Sequence, residues 1–240
     1  MKLRKKTKII TGTILSILVV IVGVISFLPE KTVTISTNNN YSAIYNGDRN
    51  CGGVALTFNV YENTEVVISI LNELKKYDAK ATFFVGGCWA DDNAEVLKQI
   101  INNGHELGNH GYYHKDHKKL DDIGNYNEIY NTDKIVNALT GYKMNLFAPP
   151  SGSFNKTTLE SAEKLNYYTI MWSKDTIDWR DSNVNLIVKR ATKDINQGDI
   201  ILMHPKTHTL TALPKILTEL KNKGLQTLTV SQCVGLRVEV

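Results

Sequence analysis

Residues 104–117 read Gly-His-Glu-Leu-Gly-Asn-His-Gly-Tyr-Tyr-His-Lys-Asp-His, and four of the six histidines of the chain lie inside them. Gly104 reads as a helix stop and residues 106–109 as a short buried strand. Glycines 108 and 111 then let the backbone turn into the histidine segment. His110 and His114 are four apart. On a helical turn their rings project from one face and can meet on a single cation. A histidine-rich surface loop with no ligand is the plainer alternative, so the flanking chain must decide.

Outward from this stretch, short apolar β-rich runs alternate with helical stripes. Strand-like runs cover residues 54–58, 81–85, 106–109, 146–147, 167–172, 199–203 and 225–230. Helical patterns cover 64–77 (apolar at 66, 67, 70, 71 and 74), 95–103, 123–140, 157–165, 185–195 and 210–223. About seven β-then-α units in a row predict a parallel sheet with helices outside it. At this length a closed or nearly closed barrel fits best, with an open doubly wound sheet as the fallback. No G-x-G-x-x-G or P-loop pattern supports a nucleotide.

The chain has 240 residues, 42% of them hydrophobic, enough for one large domain with a full core. Its formal charge of +4 is misleading, because Lys2, Arg4, Lys5, Lys6 and Lys8 supply five positive charges in the first eight residues, leaving −1 for the rest. A nearly neutral body argues against nucleic-acid binding. The basic flank precedes an uncharged run, 9–28, long enough as a helix to span about 30 Å of hydrocarbon. The expectation is a single-pass anchor with a cytoplasmic N-terminus and everything after it extracytoplasmic. A cleaved signal peptide, with Val24-Ile25-Ser26 as a weak site, is the competing reading. Residues 29–51 read as a polar linker and the domain as 52–240. Cys51, Cys88 and Cys233 form neither a zinc ribbon nor a disulfide framework. One bridge can form outside the cytoplasm, but the sequence does not choose the pair, and three free thiols is the simpler reading.

Asn59, His110, Pro149-Pro150, Asp175 and His204 each fall just past the end of a different strand, the edge where βα loops converge on an active site. Residues 172–179 carry Asp175 and Asp178 between two tryptophans. A helix N-cap explains one of these acids but not both indoles. His204 follows a buried strand. With Asp175 within reach it would serve as a general acid near neutral pH, although a lone histidine there is more often structural. Residues 147–152, Phe-Ala-Pro-Pro-Ser-Gly, can present the Ser151 N–H to an oxyanion or form only a rigid turn.

Taken in series, Ala55-Leu56-Thr57-Phe58, Lys80-Ala81-Thr82-Phe83-Phe84-Val85, Gly104-His105-Glu106-Leu107-Gly108-Asn109-His110 with His114, Pro149-Pro150-x-Gly152, Trp172-Ser173-x-Asp175-x-x-Asp178-Trp179 and Leu202-Met203-His204-Pro205 resemble the NodB-like polysaccharide deacetylases, carbohydrate esterase family four, from about residue 53 to residue 234. The resemblance implies a distorted (β/α) barrel of seven or eight strands that removes acetyl groups from extracytoplasmic glycan such as peptidoglycan. It implies a divalent metal, zinc first with cobalt, nickel or manganese as alternatives, held by His110, His114 and an aspartate. The metal would polarise the acetyl carbonyl and bring a bound water toward a pKa of about 7. His204 would protonate the leaving amine and Asp175 would orient it. Trp179 and Leu202 would line the acetyl pocket, with Pro150, Ser151, Gly152 and Asp178 as further substrate contacts.

Two departures stand out. Where the family carries a base aspartate and a metal-binding aspartate, this chain has Asn59 and Val60, and where it carries an arginine before the prolines, this chain has Ala148. Losing a base costs roughly 10²–10⁴ in rate. Glu62 and Glu65 could rebuild the site, Glu65 being the catalytic candidate beside Asn59, or could simply be solvated at a helix N-terminus. Two functions follow: a membrane-anchored metal-dependent deacetylase of cell-wall glycan, or a glycan-binding pseudoenzyme.

Overall fold

The computed structural model describes residues 42–236. The basic flank and the 9–28 run, with the spanning helix expected there, lie outside the described residues. Among the described residues no helix is long and apolar enough to cross a membrane.

Eight strands, β1 (Gly53–Val60), β2 (Thr82–Val85), β3 (Glu106–Asn109), β4 (Leu146–Phe147), β5 (Tyr168–Thr169), β6 (Lys174–Asp175), β7 (Ile200–Met203) and β8 (Gln226–Leu228), form one parallel sheet. The helices are α1 (Thr64–Lys76), α2 (Gly87–Asp92), α3 (Ala94–Asn102), α4 (Asp122–Thr140), α5 (Lys156–Lys164), α6 (Val184–Thr192), α7 (Thr207–Asn222) and α8 (Val230–Val234). The α2 and α8 turns were not expected from periodicity; at six and five residues they are too short to show one.

Strand order is β5-β4-β3-β2-β1-β7-β6, with β8 beside the start of β1. The sheet is therefore a half-barrel, and the expected closure does not occur. The strand expected over 167–172 ends at Thr169, and β5 and β6, two residues each, are too short to ladder together. The preceding chain fills the seam between them. Ile44 donates its N–H to Thr169 O and accepts from Met171 N, and Asn46 bridges to Asp199. Arg49 then bonds Gln197 O and Asp199. Residues 44–50, expected as linker, are part of the wall.

The two-residue period of a strand sorts the side chains. On β1, Val54, Leu56, Phe58 and Val60 pack outward with Val67, Ile70 and Leu74 of α1 and with Phe83, Val85, Ile201 and Met203. Ala55 packs inward with Phe84, Leu146, Ala148 and Ile200. Asn59 shares the parity of Ala55. Gly108 shares the inner face with its register partner Phe84, and a β-carbon there would lie 2.4 Å from the Phe84 ring. Gly108 thus makes room for an aromatic ring inside the strand and, contrary to expectation, does not turn the chain. Gly111 does, at φ 72°.

At the opposite end α8 plugs the half-barrel. The buried Glu106 carboxylate accepts from Thr82 Oγ1 at 2.7 Å and from Ser231 N in the first turn of α8, while Val230 N donates to Thr82 Oγ1. Burial holds the Glu106 carboxyl above its ordinary range, against these hydrogen bonds.

Two outcomes follow. Gly108→Ala should destabilise the domain by about 1–3 kcal/mol through overpacking against buried Phe84, and a second change, Phe84→Leu, should recover part of it; urea unfolding measures both. His105, buried edge-on to Phe83, is held neutral by burial and by Lys80, with its pKa down at about 4. Its stabilising effect is complete above the unfolded pKa of about 6.5 and is lost as pH falls toward about 4, at up to about 1.4 kcal/mol per pH unit. His105→Phe should flatten the unfolding midpoint by one proton's worth between those pH values.

Candidate active site

The inward parity of β1, β3 and β7 brings Asn59, His110, Leu202 and His204 to the C-terminal rim, where they line a cleft of about 510 Å³. Tyr61, Glu62, His114, Ser151, Trp172, Asp175, Trp179, Pro205 and Lys206 complete its walls.

His110 follows β3 and is 2% exposed. Its Nδ1 lies 2.7 Å from Ala148 O. A carbonyl can only accept, so Nδ1 carries the proton and Nε2 the lone pair. Burial, then the charge of His114, hold its pKa down at about 3, so the ring is neutral. The His110 and His114 rings are 5.1 Å apart at 69°. They meet as expected, but not on a helical turn. Residues 110–116 are irregular, and His114 adopts φ 53°. The loop is held from α4: Asn109 Nδ2 donates to Ile129 O, Glu128 Oε2 accepts the Tyr113 N–H at 2.7 Å, and Asn125 Oδ1 accepts from His117 Nδ1. Sequence reading missed this support. Its signal was a stripe of polar residues at 125, 128 and 132 along one face of a weakly amphipathic helix.

Asn59 is 6% exposed, and its Oδ1 is buried without a hydrogen-bond partner. Val60 falls on the other parity and packs among the helix-facing side chains. Ala148 is buried on the inner face. Two neutral imidazoles and one orphaned amide oxygen are donors that suit a divalent ion of borderline softness. Among the described residues no three or more histidine, cysteine or acidic side chains are grouped so as to hold a metal ion. These donors fit a divalent ion in kind, but would hold it without an anionic partner.

On the far wall the acid that holds His204 is Asp178, not Asp175. His204 Nδ1 donates to Asp178 Oδ1 at 2.7 Å, and its backbone N–H donates to Oδ2 at 2.7 Å. Thr209 Oγ1 also donates to Oδ2, and His208 Nε2 donates to the Asp178 carbonyl. Burial alone would raise the Asp178 carboxyl, but the hydrogen bond and charge of His204 and the bond from Thr209 outweigh it and hold it low. Asp178 is 1% exposed and lies beneath the imidazole, not in the cleft with a substrate. Asp175 instead accepts from Ile177 N, fixing a turn in which Ile177 takes φ 55°, and stays on the cleft wall. Spacing could not separate two acids three residues apart.

Glu65 is exposed on α1 and lies outside the cleft lining, which removes it as a base. Glu62 does line the cleft, paired to Lys206, whose hydrogen bond holds the Glu62 carboxyl low. Ser151, in the turn after buried Pro150, reaches the cleft with a left-handed backbone, φ 55°. Gly152 lies too close to the Trp172 ring for any side chain, 2.7 Å from a virtual β-carbon. Trp179 is 53% exposed on the rim with the Arg180 guanidinium over its ring, and Leu202 is buried on the floor.

The family model for polysaccharide deacetylase matches residues 46–170. The chain is 36% identical to the uncharacterized protein YlxY of Bacillus subtilis over 79% of its own length, spanning 59% of that relative, and 34% identical to a peptidoglycan-N-acetylglucosamine deacetylase of Bacillus cereus, covering 79% of this chain and 71% of the relative. Among solved structures, a CE4 family pseudoenzyme from Bacillus anthracis superposes with a TM-score of 0.78 at 37% identity, covering 82% of this chain and 70% of that one. The half-barrel, the rim that carries the histidines and these likenesses agree: the chain belongs to the polysaccharide deacetylase family.

Proposed function

We propose that this chain acts on N-acetyl groups of cell-wall polysaccharide as a deacetylase-type hydrolase whose acid half is complete and whose base half is reduced. The observation that carries this reading is the Asp178–His204 clamp facing His110 and His114 across one cleft. With Nδ1–H fixed on Asp178, only Nε2 of His204 can exchange a proton, and it is placed to protonate a leaving amine. Trp179 and Leu202 offer an aromatic rim and an apolar floor, suited to a sugar face and an acetyl methyl. His110 and His114, with Asn59 Oδ1 as a neutral third donor, would hold a divalent ion, zinc in the first place, which when bound polarises the acetyl carbonyl. An amide at residue 59 takes no proton at neutral pH, so water attack proceeds without a fixed base there. The 9–28 run would anchor the domain at the outer face of the membrane, next to its glycan.

A second reading, a glycan-binding pseudoenzyme, is favoured by Val60, which sits in the apolar layer, and by the likeness to the Bacillus anthracis structure. Acetate release from peptidoglycan and chitooligosaccharide with added zinc or cobalt separates the two. The native protein should turn over slowly, and Asn59→Asp should raise the rate by about 10²–10⁴. Asp178→Asn should lower it by a similar factor, while Asp175→Asn should change it less than about tenfold. No acetate from the native protein, with oligosaccharide still bound, would establish the pseudoenzyme, and acetate appearing only in Asn59→Asp would show that the missing base is what silences it. In calorimetry the native domain should take up zinc weakly, and His110→Ala should abolish the uptake.

A further inference from the structure

The three cysteines are not equivalent. Cys51, half-buried just before β1, has its Sγ 3.7 Å from Sγ of Cys233, which is fully buried in α8. The two are 182 residues apart in sequence and meet where the chain enters and leaves the half-barrel. Both flanks are already fixed. Asp48 N donates to Cys233 O at 2.8 Å, and Cys51 N to Asp48 O at 3.1 Å. Gly47 runs so close that a β-carbon on it would lie 2.4 Å from Cys233 O and 2.5 Å from its sulfur. α8 itself is held by Glu106 and Thr82 from inside the sheet. Two thiols on backbones fixed at this separation need only a small side-chain movement to reach the covalent S–S distance of about 2.0 Å.

We propose that Cys51 and Cys233 are a redox-controlled staple: a disulfide that joins the entry strap to the α8 plug and leaves Cys88 free. The oxidant is an external disulfide, small-molecule or protein. The half-exposed Cys51, as thiolate, attacks one sulfur of it and releases the other as a thiol. The Cys233 thiolate then displaces the remaining thiol from Cys51. One external disulfide is reduced by two electrons to two thiols, and the two cysteine protons end on them. Burial pushes the Cys233 thiol up to about 12, which depletes its thiolate and makes closure the slow step, driven by the proximity of the two sulfurs. The covalent loop so formed encloses all eight strands, so it restricts the unfolded chain almost as much as any single cross-link in this domain can. This inference is independent of what the cleft does.

The test uses the whole chain, reduced and then equilibrated with oxidised glutathione. Thiol titration in denaturant should fall from three groups to one, and a non-reduced digest should join the peptides of Cys51 and Cys233. The melting temperature should rise by about 5–15 °C on oxidation. It should not respond in Cys51→Ser, and it should respond as in the native protein in Cys88→Ser. Three titratable thiols after oxidation, a link that includes Cys88, or a bond that leaves the melting temperature unchanged would overturn the proposal.

Discussion

The whole molecule depends on the alternation of side chains along a handful of short parallel strands. Every residue of β1 is buried, so the strand cannot separate polar from apolar by exposure to water; it separates them by which face they leave. One parity delivers Val54, Leu56, Phe58 and Val60 to the helices. The other lines a concave interior that is apolar around Ala55 and Phe84, with the Thr57 hydroxyl bonded to Ile201 O, and that gathers its remaining polar groups at its two ends. At one end Thr82 and Glu106 receive the plug helix; at the other Asn59, His110 and His204 open to solvent in a cleft. Both polar ends are satisfied, or offered to a ligand, by the same period.

The cleft walls are fixed by different means. The His110 side rests on backbone and on a buried polar face of α4, where Asn125, Glu128 and Thr132 are enclosed. Such a network is costly to half-satisfy and so defines one loop conformation. The His204 side rests on a single carboxylate that binds ring and backbone of the same residue, with Thr209 and His208 fixing it in turn. The first wall sets where two neutral nitrogens lie, and the second sets which nitrogen of an imidazole stays protonated.

Much of this was legible in the sequence. The β-then-α rhythm gave the parallel sheet, because apolar runs of four to eight residues between helical stripes leave few other arrangements. The rim positions of Asn59, His110, Asp175 and His204 followed from strand ends alone. What the pattern could not supply was anything decided by a turn or by a two-residue element. The seam stayed hidden because β5 and β6 are too short to show a period, and the strap from Ile44 to Arg49 looks like any polar linker. The exchange of Asp175 for Asp178 came from the turn at Ile177, whose left-handed backbone no propensity predicts. The histidine loop reached its ring pairing through φ 53° at His114, where a helix had been expected.

The parity of β1 also makes the two departures at its end unequal. Residue 59 already faces the cleft with an unpaired oxygen, so exchanging amide for carboxylate there alters a charge and leaves the shape intact. Residue 60 is committed to the helix layer, where an unpaired carboxylate costs several kcal/mol unless the strand end rotates and the surrounding packing is rebuilt. A charge written at 59 is therefore a local edit of the cleft, whereas one written at 60 is a demand on the whole helix-facing layer.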